Sequence, residues 1–573
     1  MRHVPPAMVV FVVSGLIGAV VGWMWATPSA LIVPGQFLAG LAAYPEGSPM
    51  AAFFRQTITL PAEGVALLLR LGLSPDAICL GLSSAIAALY AQAFALITYS
   101  FSRQVPPALA VAALCCVSPW AYLDGPDYPI QVIAPHTSGI LGLALGLHVL
   151  GMIGVGWYRA AAIVLGLMPF MHPVLGLWSV VVVVAGWVVT RRTVGSRVIW
   201  PFAFGIVGGA VALLAGRLLA PEVAMPPADP GYMEAFLKTW DFHRNQPFDW
   251  QRGTMMVRMV LLTTMLLLWL RLRRAEVPEP TVVMVWTLAA AAVGGAVAYG
   301  VFYAGRDLLP NVLVIAMPNR LINLPLAATL PVLAGLLFRH GRTWTAVAAL
   351  AVLLAVPVGL AHTPFDPMVT GSAGNLAAVI VATTAILALS SGQWGDRWVG
   401  AGHRLAPVLA LGMFAAALVV AQPVNERLLD ASDHHGAFVD YVSDIGGPGG
   451  TMAVVSDVHS LGVPARKALL IDPNLDFVVY GRGLGPAMAA ILADVYGVDF
   501  FAPRQENFLG AIHPLVVRPL WQARSLEQWQ AIAARHDLRI VVTDGTWRLQ
   551  LPLAATISYR GERLAVFAIP PAR

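Results

Sequence analysis

One uncharged run in the first third of the chain decides the fold. Residues 174–190 read VLGLWSVVVVVAGWVVT, after His172-Pro173 and before Arg191-Arg192. A helix needs about 20 mostly apolar residues to cross the roughly 30 Å hydrocarbon core of a bilayer. The run therefore predicts a helix surrounded by lipid, which begins at a proline and ends at a pair of arginines.

The composition of the whole chain agrees with this interpretation. Of 573 residues, 58% are hydrophobic and 11% are charged, whereas a typical soluble domain is about 25% charged. This excludes a soluble enzyme, a disordered chain and a disulfide scaffold. Thirteen apolar runs are candidate spans, at residues 8–26, 77–102, 106–119, 133–156, 160–171, 174–190, 198–220, 255–270, 281–304, 323–338, 343–361, 374–391 and 403–421.

Two further counts narrow the class of protein. The three cysteines, Cys79, Cys115 and Cys116, all lie in apolar runs, which argues against a disulfide framework or a zinc cluster. The net charge of +5 is small for this length, so no nucleic-acid partner is predicted.

The distribution of charge predicts the orientation. With the N-terminus in the cytoplasm, the inner connections hold 13 basic residues and three acids, and the outer loops before residue 425 hold nine basic residues and 12 acids. Basic residues prefer cytoplasmic loops. We therefore expect the N-terminus to lie in the cytoplasm. The outer loops are also longer than the inner connections, and a site is expected in such loops. The predicted location is a bacterial inner membrane, which the chain crosses many times.

The composition changes near residue 425. Strand-like runs at 452–456, 468–471, 477–480 and 539–543 alternate with helical patterns at 485–496 and 525–536. Such alternation is typical of a small α/β domain. The sequence thus predicts a transmembrane domain over residues 1–424 and a soluble α/β domain over 425–573 on the periplasmic side.

Two outer loops near the N-terminus carry candidate acids. Glu46 is an isolated carboxylate in the first loop, between apolar stretches that predict helices lying in the membrane interface; it is either a general base or metal ligand, or a solvated turn acid. Asp124 and Asp127, separated by Gly125 and Pro126, either converge on a cation or form a turn.

Other polar candidates lie at span ends or in the loop 221–254. Asp241, His243 and Arg244 combine a possible base, a proton carrier and a phosphate-binding guanidinium, and the alternative is a loop helix with salt bridges. His172 is either functional or satisfies carbonyls freed by the helix break. Arg306 and Arg320 flank an apolar stretch too short to cross the membrane, and either bind lipid phosphate or snorkel.

This plan resembles the GT-C class of integral membrane glycosyltransferases. The resemblance rests on the first loop with Glu46 in Tyr44-Pro45-Glu46-Gly47-Ser48-Pro49, on the outer Asp, His and Arg cluster, and on the α/β tail. The resemblance covers nearly the whole chain. It is a similarity of architecture and not a match of individual residues. The class usually has a pair of acids as its signature in this loop, whereas the stretch Tyr44–Pro49 has only Glu46. The stretch Met171–Trp178 also looks like uncharacterised bacterial membrane proteins of this kind.

The resemblance implies an activity and its partners. A sugar would move from a polyprenyl-phosphate carrier to a glycan, lipid or protein acceptor at the outer face, among membrane lipids. Glu46 or Asp241 would act as the base, with His172 or His243 assisting. Arg244, Arg306 and Arg320 would bind phosphate, with Asp124 and Asp127 as further substrate-binding candidates. A divalent metal, Mg or Mn, is compatible with this chemistry and is not required by it.

Three other classes stay open. A polysaccharide polymerase or ligase would share the lipid-phosphate donor and the outer arginines. A transporter should show charges within its spans and inverted repeats, and the runs hold little charge and no visible repeat. A non-catalytic scaffold would tolerate substitutions of the outer charges without loss of any transfer activity.

Overall fold

A computed structural model gives the architecture of the chain. The residues that it describes are 5–57, 59–117, 137–190, 196–223, 230–241, 250–305, 308–340, 376–386, 442, 449–455, 466–472, 475, 481, 483–504, 512–559 and 562–571. All structural statements below refer to these residues.

The described chain is dominated by long apolar helices. Seven helical segments are long and apolar enough to cross a membrane: Pro6–Met24, Pro75–Ser102, Pro173–Thr190, Ile199–Leu219, Arg252–Arg273, Glu279–Tyr303 and Asn311–His340. The last of them is a series of shorter helices. Shorter helices match four more of the predicted runs: Val105–Val117, Ser138–Gly154, Tyr158–Met171 and Leu376–Ile386. The predicted runs 343–361 and 403–421 lie outside the described residues. The protein is a polytopic α-helical membrane protein, as predicted.

The chain forms two compact units. The helical unit comprises Met1–Ser29, Cys79–Val211 and Pro247–Glu426. The second, called here the loop–sheet unit, comprises Ala30–Ile78, Ala212–Gln246 and Arg427–Arg573. This grouping adds two of the predicted outer loops to the C-terminal residues. The predicted domain boundary at residue 425 stays a prediction.

Glycines allow close helix packing in the helical unit. A Cβ atom added at Gly18 or Gly22 would collide with backbone atoms of the helix Pro75–Ser102, at Ala87 and Ser83. Such small residues let helix backbones approach closely, which is a main source of association in lipid, where apolar burial between helices contributes little. The first helix is therefore held to its neighbour by backbone-level contact.

We expect Gly18→Ala and Gly208→Ala to have opposite effects on stability. The added methyl at Gly18 has no space, because backbone atoms of residues 87 and 88 occupy its position, and overpacking costs about 1–3 kcal/mol. Gly208 is also helical but has nothing within 4 Å of its added Cβ, so alanine there should gain about 0.5–1 kcal/mol. Thermal unfolding of the two variants in detergent measures both, and equal midpoints would contradict the packing argument.

Two breaks interrupt the helices of the helical unit. The helix Tyr158–Met171 ends at His172, whose backbone is extended, and Pro173 begins the next helix. The second break follows the six-residue helix Asn311–Ala316, where Met317 adopts a left-handed conformation with φ of 39°. A 3₁₀ helix, Pro318–Ile322, follows. The apolar stretch before Arg320 thus contains a short helix.

After the 3₁₀ helix the chain becomes helical again. The helices Asn323–Ala327 and Thr329–His340 continue it, and the second is buried along nearly its whole length. The long helix Glu279–Gly305 packs against the 3₁₀ helix, where Gly295 meets the backbone of Ile322. Packing on both sides therefore holds the segment around Arg320 inside the bundle.

Short helices build the first part of the loop–sheet unit. The first loop folds into Ile32–Leu38, Pro49–Gln56 and Leu60–Arg70, and the later loop contributes Pro230–Thr239. The helix Leu60–Arg70 buries Val65, Ala66 and Leu69 and exposes Leu67. The predicted loop helices are confirmed as helices, and their placement in a membrane interface stays a prediction.

A five-stranded sheet forms the rest of this unit. Its strands are β1 (Thr451–Val454), β2 (Ala468–Leu469), β3 (Leu538–Asp544), β4 (Leu553–Tyr559) and β5 (Glu562–Ala568), in the order β2-β1-β3-β5-β4. The strands β2, β1 and β3 are parallel, whereas β5 pairs antiparallel with β3 and β4. Three of the predicted strand runs are confirmed, and the run 477–480 lies outside the described residues. The β4–β5 pair was not predicted.

Helices connect β2 to β3. The predicted helices appear as Leu484–Ile491, continued by a π-helical turn Leu492–Tyr496, and as Leu526–His536. The helix Pro514–Ala523 was not predicted. A capping box between Ser525 and Gln528 begins the last helix, and left-handed Asp537 ends it, which turns the chain directly into β3. A helical connection thus joins β2 to the parallel strand β3.

Candidate functional site

The exposed turn that holds Glu46 immediately precedes a helix. Glu46 is exposed, Gly47 takes a positive φ of 76°, and Ser48 caps the helix Pro49–Gln56 by accepting a hydrogen bond from the Ala51 amide at 3.3 Å. Ser48 is a favoured cap because its hydroxyl satisfies a free amide of the first turn. The carboxylate is therefore open to a ligand and is carried by an ordered turn.

The segment before Glu46 is attached to the edge of the sheet. Ala43 forms a parallel bridge with Lys467, beside β2, and the Lys467 ammonium donates to the Gly449 carbonyl oxygen at 2.9 Å. The Tyr44 phenol bonds to the backbone of Leu469, and burial raises its pKa well above the usual value. Tyr44 thus stays protonated and anchors the loop. Glu46, two residues later, is positioned by the C-terminal sheet.

Asp241 occupies a different environment in the same unit. Its side chain is completely buried and interacts with other residues. The neighbouring Trp240 donates from Nε1 to the Phe500 carbonyl oxygen at 2.7 Å. The aromatic rings of Trp240 and Phe500 also stack, with their centroids 6.1 Å apart. Of the two predicted bases, only Glu46 is open to an acceptor in this conformation.

Several predicted site residues lie outside the described residues. They are Asp124, Asp127, His243, Arg244 and Arg306. Their roles stay predictions.

The helical unit brings together His172 and Arg320. His172 Nδ1 accepts a hydrogen bond from the Leu175 amide at 3.1 Å, so this imidazole satisfies a donor that the helix break frees. The guanidinium of Arg320 lies near enough to interact electrostatically with His172. His172 therefore caps a helix by accepting from an amide, whereas the predicted structural role was to satisfy freed carbonyls. Its functional role stays a prediction.

Arg320 also lines a small cavity between helices. The remaining lining residues are Gly142, Leu143, Leu175, Trp178, Ser179, Leu321 and Leu324. Arg320 is half-buried, and Trp178 donates from Nε1 to the Ala316 carbonyl oxygen at 2.9 Å, which fixes the turn before Met317. A guanidinium held in such an apolar wall is suited to an oxyanion, because it offers a fork of donors and stays charged.

Two asparagines lie beside Arg320 in the sequence and are almost entirely buried. Asn319 is 5% exposed and interacts with other residues. Asn323 is 3% exposed, and neither its amide nitrogen nor its oxygen has a hydrogen-bond partner among the described residues. The sequence places Asn323 at the opening of a span but gives no sign that its amide is unsatisfied.

The sequence interpretation missed Glu63. This carboxyl, 6% exposed, has no hydrogen-bond partner on either oxygen within the described chain and packs against Gly216. Arg55 donates to the Arg217 carbonyl oxygen at 3.1 Å and Arg70 to that of Leu219 at 2.9 Å. A single acid within the apolar run Leu60–Arg70 was the available signal.

We expect Glu63 to make stability depend on pH. Burial raises the pKa of its carboxyl, against the opposing effect of the cations Arg70 and Arg55. The protonated form is therefore favoured by folding, and this contribution is fully present below the unfolded-state pKa and disappears as the pH rises through the folded-state pKa. Glu63→Gln should raise the melting temperature at pH 7 relative to the wild type, and the gain should shrink towards pH 4.

The matched control for that variant is Glu234→Gln. Glu234 is an exposed glutamate of the same unit, so its replacement should leave the melting temperature unchanged at both pH values. A pH-independent difference between Glu63→Gln and wild type would show that the carboxyl ionises in the folded protein as it does in the unfolded chain.

A metal site is not assembled by the described residues. No group of three or more His, Cys, Asp or Glu side chains lies together among them. Glu46 has no second carboxylate beside it in the described turn. The predicted Mg or Mn ion stays a prediction, and the chemistry below does not depend on it.

Comparisons with known proteins give one finding to set beside this geometry. No family model and no curated protein matches the chain. A solved chain described as ArnT from Cupriavidus metallidurans bound to undecaprenyl phosphate is similar at 13% identity, over 98% of each chain, with a TM-score of 0.40. This likeness covers nearly the whole length of both chains. At this score it transfers no ligand, residue or activity.

Proposed function

We propose that this protein is a membrane glycosyltransferase that moves a sugar from a polyprenyl-phosphate carrier to a glycan, lipid or protein acceptor. The observation that carries the proposal is the position of Glu46. An exposed carboxylate sits on a loop that is helical on both sides and attached to a C-terminal sheet through Ala43 and Tyr44. A general base needs this combination of access and fixed position.

The reaction requires one proton transfer and one displacement. The acceptor hydroxyl loses its proton to Glu46 while its oxygen forms a bond to the anomeric carbon of the sugar. The bond from that carbon to the phosphate oxygen breaks, and the carrier leaves as polyprenyl phosphate with the electron pair. The leaving group needs no protonation, because a phosphate ester is stable as an anion.

Arg320 is the proposed partner of that anion. Its guanidinium, half-buried in an apolar wall, would bind the phosphate of the donor and stabilise the charge that increases as the carrier leaves. His172, which lies within electrostatic reach of Arg320, would assist in positioning this group. Asp241, being buried, is the second choice as base.

The proposed setting follows the charge distribution of the sequence. With the N-terminus in the cytoplasm of a bacterial cell, residues 425–573 and the outer loops would lie on the periplasmic side of the inner membrane, where the lipid-linked donor and the acceptor would meet. Most acids, including Glu46 and Asp241, belong to predicted outer segments.

The test is conversion of a lipid-linked sugar. Purified protein in vesicles made from a total lipid extract of its own membranes should consume sugar-carrying polyprenyl phosphate and release free polyprenyl phosphate, measured by mass spectrometry. The same vesicles with heat-inactivated protein are the control. An unchanged lipid pool, with and without added membrane glycans as acceptors, would refute the proposal.

A further inference from the structure

The side chain of Asn323 is buried without a hydrogen-bond partner among the described residues. An asparagine side chain has two N–H donors and a carbonyl acceptor, and buried amides of this kind nearly always have partners. Here the side chain is 3% exposed and both of its polar atoms lack a hydrogen-bond partner within the described structure. Leaving a buried donor and acceptor unpaired destabilises the folded protein. A leucine of similar size would avoid this.

The local backbone is also held in an uncommon conformation. Met317, a residue with a Cβ atom, has φ of 39°, and the 3₁₀ helix Pro318–Ile322 follows it within the bundle. Left-handed non-glycine residues and 3₁₀ turns inside helical segments concentrate at functional sites and hinges. Both features lie within six residues of the unpaired amide.

The spacing places this amide beside the proposed phosphate ligand. Arg320 and Asn323 are three residues apart, across the end of the 3₁₀ helix, and side chains at this separation lie over one another in that geometry. Arg320 is half-buried and lines the cavity. Asn323 does not line this cavity itself, so a shift of the 3₁₀ turn would be needed to present the guanidinium and the amide to one ligand.

We infer that Asn323 is a binding residue for the phosphate of the polyprenyl carrier. Its N–H₂ group donates to a phosphate oxygen that Arg320 also binds, and the free protein retains an unpaired amide that the ligand satisfies. This inference rests on the proposed function for the identity of the ligand. It adds a specific consequence: the residue lowers stability without ligand and raises affinity for it.

The decisive variant is Asn323→Leu, examined with polyprenyl phosphate as the probe. Without lipid, its melting temperature in detergent should rise by about 2 °C or more, because an unpaired amide is removed. Its dissociation constant for polyprenyl phosphate should increase about 10- to 100-fold, the usual effect of losing a hydrogen bond to a charged group. Asn323→Asp should bind the probe still more weakly, since it adds a negative charge.

Asn319→Leu is the matched control. Asn319 is equally buried but interacts with other residues, so this variant should lose stability. An Asn323→Leu variant with an unchanged or lower melting temperature, or with wild-type affinity for the probe, would overturn the inference. A wild-type protein that does not bind polyprenyl phosphate would instead refute the proposed carrier. The two failures are therefore distinguishable.

Discussion

Replacing Glu46 by glutamine is expected to reduce the rate of sugar transfer by at least about 100-fold. Glutamine keeps the size and the hydrogen-bonding reach of the side chain but cannot accept the proton of the acceptor hydroxyl. Positioned general bases contribute about 10²- to 10⁴-fold to catalysis. Because Glu46 is exposed and Ser48 rather than Glu46 caps the following helix, the fold should tolerate the change.

The measurement is kcat for release of polyprenyl phosphate, together with the affinity for the lipid-linked donor. The affinity should be unchanged, since Glu46 acts on the acceptor. Glu234→Gln, at another exposed glutamate of the loop–sheet unit, should keep wild-type kcat. A Glu46→Gln variant that keeps wild-type kcat would identify the residue as a turn acid. It would move the role of the base to Asp241.

Much of the helical unit could be predicted from the sequence because lipid imposes a simple requirement. A segment such as 174–190 must satisfy all its backbone groups internally and present apolar side chains outwards. Length and hydropathy alone therefore identify it, and the structure gives the helix Pro173–Thr190. The break at His172 was also readable, since proline cannot continue the preceding helix.

It was harder to predict which chain segments come together in the loop–sheet unit. The bridge between Ala43 and Lys467 joins residues more than 400 positions apart, and no local pattern encodes such a pairing. The β4–β5 pair was missed for a related reason. β5 pairs antiparallel with β3 and lies between β3 and β4, so that β4 is the edge strand. The strand–helix alternation that the sequence shows does not predict this antiparallel addition.

Some properties of the candidate site could likewise be predicted from the sequence, and others could not. Residue type and loop position were enough to select Glu46 and Arg320, because an isolated acid and an arginine at a span end stand out against an apolar background. The burial of Asp241, the unpaired amide of Asn323 and the enclosed carboxyl of Glu63 depend on which side chains fold around them. Those properties exist only in three dimensions.

Replacing Arg320 by methionine is expected to weaken binding of the lipid-linked donor by about 100-fold or more. Truncating one partner of a buried, hydrogen-bonded charge pair costs about 2–5 kcal/mol, in part because the remaining charge is left unpaired. The rate kcat should fall as well, because charge on the phosphate increases as the carrier leaves and stabilisation of that increase is lost. Methionine preserves the length and apolar stem of the side chain.

Arg320→Lys separates charge from geometry. Lysine keeps the positive charge but lacks the planar fork that binds two phosphate oxygens, so donor affinity should recover only in part. Arg159→Met, at an exposed arginine of the same unit, should bind the donor as the wild type does. Full activity in Arg320→Met would mean that the guanidinium does not bind the donor and only snorkels at the end of the span. A lysine variant equal to wild type would restrict its role to charge.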